Sequence, residues 1–163
     1  MTQKLFLLFH IGRDRYALPA SDVEVVLPLA QFKQVPGTPP WVAGLFSYGG
    51  RHVPVIDISR LSLDMPADVR LSTRLVLVRY APAGAEPRLL GLVLEKATDT
   101  LYCDPQDFLA SGLHNEQARY LGPVMRHRDG LLQWITVDAL LDADTRALLF
   151  PPGHALAGAG EAR

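Results

Sequence analysis

Ser47, His52 and Asp57 are the residues whose types and order most invite a chemical reading. A serine, a histidine and an aspartate can serve as nucleophile, general base and orienting carboxylate, provided the fold brings them into hydrogen-bonding line. Their surroundings do not form the strained elbow that lifts a catalytic serine above a sheet. Gly44 lies three residues before Ser47, where Gly-x-Ser-x-Gly requires two. The simpler account is a turn serine, a solvent-facing histidine and an aspartate at a strand end. His10, His52, His114, His127 and His154 are dispersed, without the close spacing of a structural metal site. Gly49-Gly50 is not followed by the Lys-Ser/Thr of a phosphate loop, and no dinucleotide-binding glycine pattern follows a strand. Cys103 is the single cysteine, with no intrachain disulfide partner and no neighbour to stabilise a thiolate. The sequence leads us to expect no catalytic residue, no metal and no cofactor.

Bulk properties narrow the remaining classes. The chain has 163 residues, of which 48% are hydrophobic, enough for one domain with a sizeable core and too many for a disordered protein. Trp41, Tyr48 and Arg51 could stack on bases. The formal net charge of -1, however, provides no broad field for a polyanion, so no nucleic-acid partner is expected. The apolar run over residues 5–9 is short for a signal peptide. No run approaches the roughly 20 apolar residues that span a bilayer. The expectation is a cytoplasmic protein without direct membrane insertion.

The elements that position these residues are mostly short strands. Residues 5–11 form an apolar run, Gly12-Arg13-Asp14-Arg15 a polar turn, and Tyr16-Ala17-Leu18 a second strand closed by Pro19. Ala20-Ser21-Asp22 makes one helical turn before a β-branched strand from Val23 to Leu27. Residues 35–40, with three prolines, form a stiff connection into the central stretch from Trp41 to Leu63. There, Gly49-Gly50 supplies the positive φ angles of a hairpin between two strands. Val53 and Val55 point one way and Pro54, Ile56 and Ile58 the other; Pro54 implies an edge or a bulge. Ser59 is taken as the cap of a short helix. A second strand-rich half follows: residues 74–79, then 88–94, then 95–103 after a bend. A 3₁₀ turn falls at Asp107-Phe108-Leu109, and a hairpin around Asp129-Gly130 joins strands ending at Met125 and starting at Leu131. One C-terminal helix capped by Thr136 carries Val137, Leu140, Leu141 and Leu148. Tyr48, Arg51 and His52 suit a solvated turn and a protein-binding surface equally well.

Taken together, these stretches resemble the CheW-like domain family, the coupling modules of bacterial chemosensory arrays. Tyr16-Ala17-Leu18-Pro19 matches the family's opening motif, the strand from Val23 to Leu27 its next strand, and Pro36 to Pro40 its proline-rich approach. The most specific motif runs Gly-hydrophobic-hydrophobic-Asn-hydrophobic-Arg-Gly, then Pro-Val-hydrophobic-Asp-hydrophobic. Gly44-Leu45-Phe46-Ser47-Tyr48-Gly49-Gly50 and Pro54-Val55-Ile56-Asp57-Ile58 take those places. The likeness covers roughly residues 3–149.

The resemblance implies an all-β fold: two SH3-like five-stranded β-barrels packed together, with short helices and a C-terminal helix. Residues 1–150 would form this domain, with the transition between barrels near 65–73; residues 151–163 lie outside the likeness and, lacking a strong periodic face, are expected to form a flexible tail. It implies a non-catalytic adaptor coupling the cytoplasmic tip of a methyl-accepting receptor to the regulatory domain of a CheA-like histidine kinase. Self-association into rings stays open. By motif position the protein-binding candidates are Tyr48, Gly49, Gly50, Arg51 and His52, with Val23, Val25 and Leu27 as neighbouring surface candidates. Two positions depart from the family: its Asn is Ser47, and its Arg before the second glycine is Gly49. Loss of that guanidinium removes a rigid donor fork. Arg51 would point to the same face of an extended strand as Gly49 and compensate in part. The departure motivates an alternative: a regulatory or competitor relative in a pili, surface-sensing or second-messenger pathway, binding only one array partner.

Overall fold

The computed structural model describes residues 2–128 and 130–151. β1 (Lys4–Ile11) and β2 (Asp14–Pro19) make the first hairpin, with Ile11 opposite Asp14. The reversal is only Gly12-Arg13, two residues tighter than the sequence suggested. A 3₁₀ turn over Ala20–Asp22 leads into β3 (Val23–Pro28). β4 (Val42–Tyr48) and β5 (Arg51–Asp57) form the central hairpin, and β5 runs directly into α1 (Ile58–Leu63). β6 (Arg74–Tyr80), β7 (Arg88–Cys103), β8 (Leu121–His127), β9 (Gly130–Ile135) and α2 (Ala143–Leu149) complete the order. Among the described residues no helix is long and apolar enough to cross a membrane.

β7 is the organising element. Residues 88–94 pair antiparallel with β6, and Gly91, Leu92 and Val93 pair parallel with β5. Residues 95–103 pair instead with β1. Between the two lies an irregularity in which Leu8 faces Asp99 but His10 faces Glu95, and Lys96 takes a left-handed φ of 51°. A bulge of this kind bends the strand and re-aims its neighbours. The two strands read from the sequence over 88–103 are therefore one strand with that bend inside it.

The pairings give two groups of five strands that share β7: β3-β6-β7-β5-β4 and β7-β1-β2-β9-β8, with β2 and β9 parallel. The all-β expectation holds. Two closed SH3-like barrels are not what the ladders show, because among the described residues they run as an open path with β3, β4 and β8 at the ends.

Each group wraps its own buried cluster. One holds Val53, Val55, Leu75, Leu77 and Val93; the other holds Phe6, Leu8, Ala17, Phe108, Met125 and Leu132. A third and larger cluster joins the groups, with Phe9, Leu18, Ile56, Ile58, Val76, Leu92 and Ile135 among its members. Strand alternation along β5 sends Val53 and Val55 into the first cluster and Ile56 into the seam, where Ile58 joins it from the start of α1, the division read from sequence. Each fully buried Val, Leu, Ile or Phe contributes about 1.5–3 kcal/mol. Pro54 sits one residue before the parallel β5–β7 ladder begins, so its missing N–H falls outside that ladder.

Three local expectations change. The α1 cap is Asp57, whose Oδ1 accepts from Arg60 N at 3.2 Å; Ser59 lies inside the helix and is buried. Aspartate caps as well as serine does and comes first in the chain. The second 3₁₀ turn is Pro105–Asp107, with Asp104 accepting from Gln106 N. The single C-terminal helix is a 3₁₀ turn over Val137–Ala139 and a separate α2, capped by Asp142, which accepts from Thr145 N at 2.7 Å. Thr136 makes no side-chain capping bond. Asp129 of the last hairpin and residues 152–163 of the expected tail lie outside the described residues.

Candidate functional site

The central hairpin owes its shape to three glycines. Gly49 and Gly50 have φ of 56° and 80° and form a two-residue turn between the paired Tyr48 and Arg51. Both central residues of a primed hairpin turn need positive φ, which glycine supplies without steric cost. Gly44 opens the hairpin differently. Its φ is 141°, and a Cβ there would collide with the Lys33 carbonyl oxygen. The close approach lets Lys33 and Leu45 exchange two backbone hydrogen bonds of 2.9 and 2.8 Å, and Phe32 meets Phe46 edge-on at 6.3 Å. The segment after β3 is thereby fastened onto β4.

The apex is polar and exposed at Ser47, Gly49, Gly50, Arg51 and His52, while Tyr48 is half-buried against the Val53–Val55–Leu75 cluster. Gly49 belongs to the turn, not to an extended strand, so the expected alignment of Arg51 with Gly49 on one strand face does not hold. Arg51 is the first residue of β5, opposite Tyr48.

Ser47 and His52 face each other across the ladder. Asp57 is five residues further along β5, about 16 Å at strand rise. Both its carboxylate oxygens are committed, Oδ1 to Arg60 N and Oδ2 to Ala67 N at 3.0 Å. The three do not form a triad. Burial, then the nearby Asp107 and Asp104 carboxylates, push the Cys103 thiol pKa up, which disfavours the thiolate. Among the described residues no group of three or more His, Cys, Asp or Glu is placed to hold a metal.

Val23, Val25 and Leu27 are half-buried and point inward, Val25 and Leu27 onto the same cluster as Tyr48 and Val23 onto the seam. The outward face of β3 is Glu24, Val26 and Pro28, with Val26 43% exposed. A partner lying on β3 meets these residues first. Alternation alone could not say which face was inward, because Val26 is apolar too. Arg79 fixes this edge: Nη2 pairs with Glu24 at 2.9 Å and Nη1 donates to the Ser21 and Val23 carbonyls.

Register decides which candidates gather. Val23 pairs Val78 near the end of β6, and β5 runs parallel to β7. The Val23 end of β3, the hairpin apex and the loop between β6 and β7 therefore share one end of the sheet. Leu27, opposite Leu75, lies toward the other end. Sequence reasoning missed Gly44 as a contact point, Asp57 as a double cap and Arg79 as a clasp. Only Asp57 carried a local signal, an aspartate just before a helical turn.

The comparisons with known proteins bear on this scaffold directly. The model of the CheW-like domain matches residues 5–145. Chemotaxis protein CheW of Bacillus subtilis (strain 168) is 21% identical over 153 residues, 92% of this chain and 94% of that protein. Chemotaxis protein CheW of Helicobacter pylori is 30% identical over 98 residues, 59% of this chain and 55% of that protein. Among solved structures, the scaffolding protein TtCheW from Thermoanaerobacter tengcongensis superposes with a TM-score of 0.76 at 17% identity, over 88% of this chain and 91% of that one. With its central hairpin and its shared long strand within this match, the chain belongs to the CheW-like domain family.

Proposed function

We propose that the protein is a coupling adaptor that holds a chemoreceptor's cytoplasmic tip and the regulatory domain of a CheA-like histidine kinase together. CheW-like domains are non-catalytic scaffolds, and the reacting residue types here do not converge: Ser47 on β4 faces His52 on β5, while Asp57 lies five residues further along β5 with both carboxylate oxygens committed. The observation that carries the reading is the glycine-built hairpin: a polar apex of Ser47, Gly49, Gly50, Arg51 and His52 on a strand pair fastened at its base. A fixed backbone presents contact groups at little entropic cost on binding. Tyr48, Arg51 and His52 are the contact residues assigned to the apex, and the β3 edge beside Val23, Val25 and Leu27 the second contact region.

Residues 1–150 act in this reading as one CheW-like unit in the cytoplasm, recruited to receptor arrays, with the transition between its halves near 65–73. The isolated bridges Lys33–Leu45 and Leu109–Val124 are where each strand group would curl toward an SH3-like barrel. A second reading is favoured by Gly49, which puts no side chain where the resembled motif has Arg: a relative of an alternative pathway that engages one array partner only. A three-component pull-down separates the two. An adaptor retains receptor fragment and kinase regulatory domain in one complex, whereas a competitor displaces one as the other binds. Failure to bind either at micromolar concentration overturns both readings.

A further inference from the structure

At the end of the sheet where β6 passes into β7, α2 and the connecting loop enclose a cleft of about 400 Å³. That volume lies within the range of small-ligand sites, about 300–1,000 Å³. Its floor is aromatic. Tyr80, 1% exposed, stacks on Phe150 with centroids 5.6 Å apart and planes 18° apart. The Arg88 guanidinium lies 5.0 Å from the Phe150 ring centroid. Apolar wall comes from Pro82 and from Ala143 and Ala147 on α2.

Three polar groups of the cleft are available to a ligand. Arg88 and Arg146 both line it, and among the described residues neither has a carboxylate partner within ion-pair distance. The Tyr80 hydroxyl is buried without a well-formed hydrogen bond, and Arg146 lies against its oxygen as the one side chain placed to supply it. A buried hydroxyl without a partner costs about 1–3 kcal/mol, so its persistence in a cleft wall calls for an explanation. Glu86 also lines the cleft and offsets one of the two cations, leaving an excess of one positive charge.

We propose that this cleft binds a small carboxylic acid with an apolar or aromatic body. The carboxylate takes the unpaired guanidinium groups as charge-assisted donors, Arg146 from α2 and Arg88 from β7. The ligand's body lies along Phe150 and the alanine face. Arg146 is exposed and free to swing toward the anion, which opens the Tyr80 hydroxyl to donate as well. The chemistry is independent of the coupling role, since it uses neither the hairpin apex nor the β3 edge.

The test is an NMR titration of the full-length protein with 3-phenylpropionate, and in parallel with its neutral amide. The expected result is saturable, low-millimolar binding of the acid with amide-resonance shifts at Ala85, Ala143, Ala147 and Phe150, and none at Gly49 or Gly50. The neutral amide binds at least fivefold more weakly. Arg146→Gln, at an exposed position, lowers affinity for the acid at least fivefold and leaves the remaining spectrum in place; Phe150→Leu weakens acid and amide alike. Equal affinity for acid and amide, unchanged affinity in Arg146→Gln, or shifts mapping away from α2 would overturn the assignment.

Discussion

Replacing Gly44 with alanine tests the central structural argument most directly. The φ of 141° is one that L-residues rarely adopt, at a cost of about 1–3 kcal/mol. The new methyl would also drive into the Lys33 carbonyl oxygen, with the Lys33 carbonyl carbon and Phe32 Cβ each only 3.0 Å away. Because most of that obstacle is backbone, relief means separating Lys33 from Leu45 and losing both of their hydrogen bonds, about 0.5–1.5 kcal/mol each. The sum is about 2–6 kcal/mol, a large share of a typical total of about 5–15 kcal/mol. At a mid-range loss of about 4 kcal/mol, the melting midpoint falls by roughly 8–16 °C for a chain of this size. Gly49→Ala is the internal control. That position also has positive φ, but nothing lies within 4 Å of an added Cβ, so only the left-handed cost of about 1–2 kcal/mol applies. Denaturant unfolding of both variants beside the parent protein gives the two differences. If Gly44→Ala loses no more than Gly49→Ala, the close approach does not fasten the hairpin.

Other expectations follow from single contacts. Gly91→Ala places a methyl 2.8 Å from Val55 Cγ2 and 3.2 Å from Leu75 Cδ1, an overpacking of about 1–3 kcal/mol measurable by denaturant unfolding. Arg51→Glu leaves stability within about 0.5 kcal/mol, because the residue is exposed. It should weaken binding to the receptor fragment or the kinase regulatory domain at least tenfold; unchanged affinity for both makes Arg51 a solvated turn residue. Acid should destabilise the protein through His127. Arg15 Nη1 donates to His127 Nδ1 at 2.8 Å and Nη2 to the His127 carbonyl at 2.7 Å, so Nδ1 is an acceptor and the ring is neutral. Burial, then Arg15 and Arg128, hold the His127 pKa below its ordinary 6.5, and burial, then Lys96 and Arg15, lower His10 despite Glu95 and Asp99. With the folded pKa depressed, the unfolded chain takes up protons first. Stability is therefore complete above about pH 6.5 and declines as pH falls toward the lowered values. Unfolding free energies measured from pH 8 to 5 should show this decline, and His127→Gln should flatten it.

The strands and hairpins were legible because apolar runs here are punctuated by Gly, Pro and polar turns. The hairpin at Gly49-Gly50 announced its turn chemistry in two residues. What stayed hidden depended on contacts distant in sequence. Nothing around Lys96 signals a left-handed residue inside a strand, so the bend was visible but the continuity of β7 was not. The inward face of β3 is set by the cluster it meets, which the near-uniform Val23-Glu24-Val25-Val26-Leu27 cannot reveal. Gly44 looked like a family glycine until Lys33 came against it. The surroundings of Tyr80 depend on Phe150, seventy positions away in the chain. At the apex, Arg51 and His52 could be located from sequence, but the turn geometry that separates Arg51 from Gly49 needed the backbone angles.

One long strand serving both halves also determines how the molecule can come apart. A peptide-bond break between Lys96 and Ala97 would keep the β3-β6-β7-β5-β4 group on one fragment but divide the other group, leaving β1 and β2 on the first piece and residues 97–103, β8 and β9 on the second. The second piece, cut off from β1 and β2, should not persist alone, yet the two mixed should reassemble, because every ladder partner would still be present. The halves share an axle, and a load applied to one of them is carried along covalent backbone into the other.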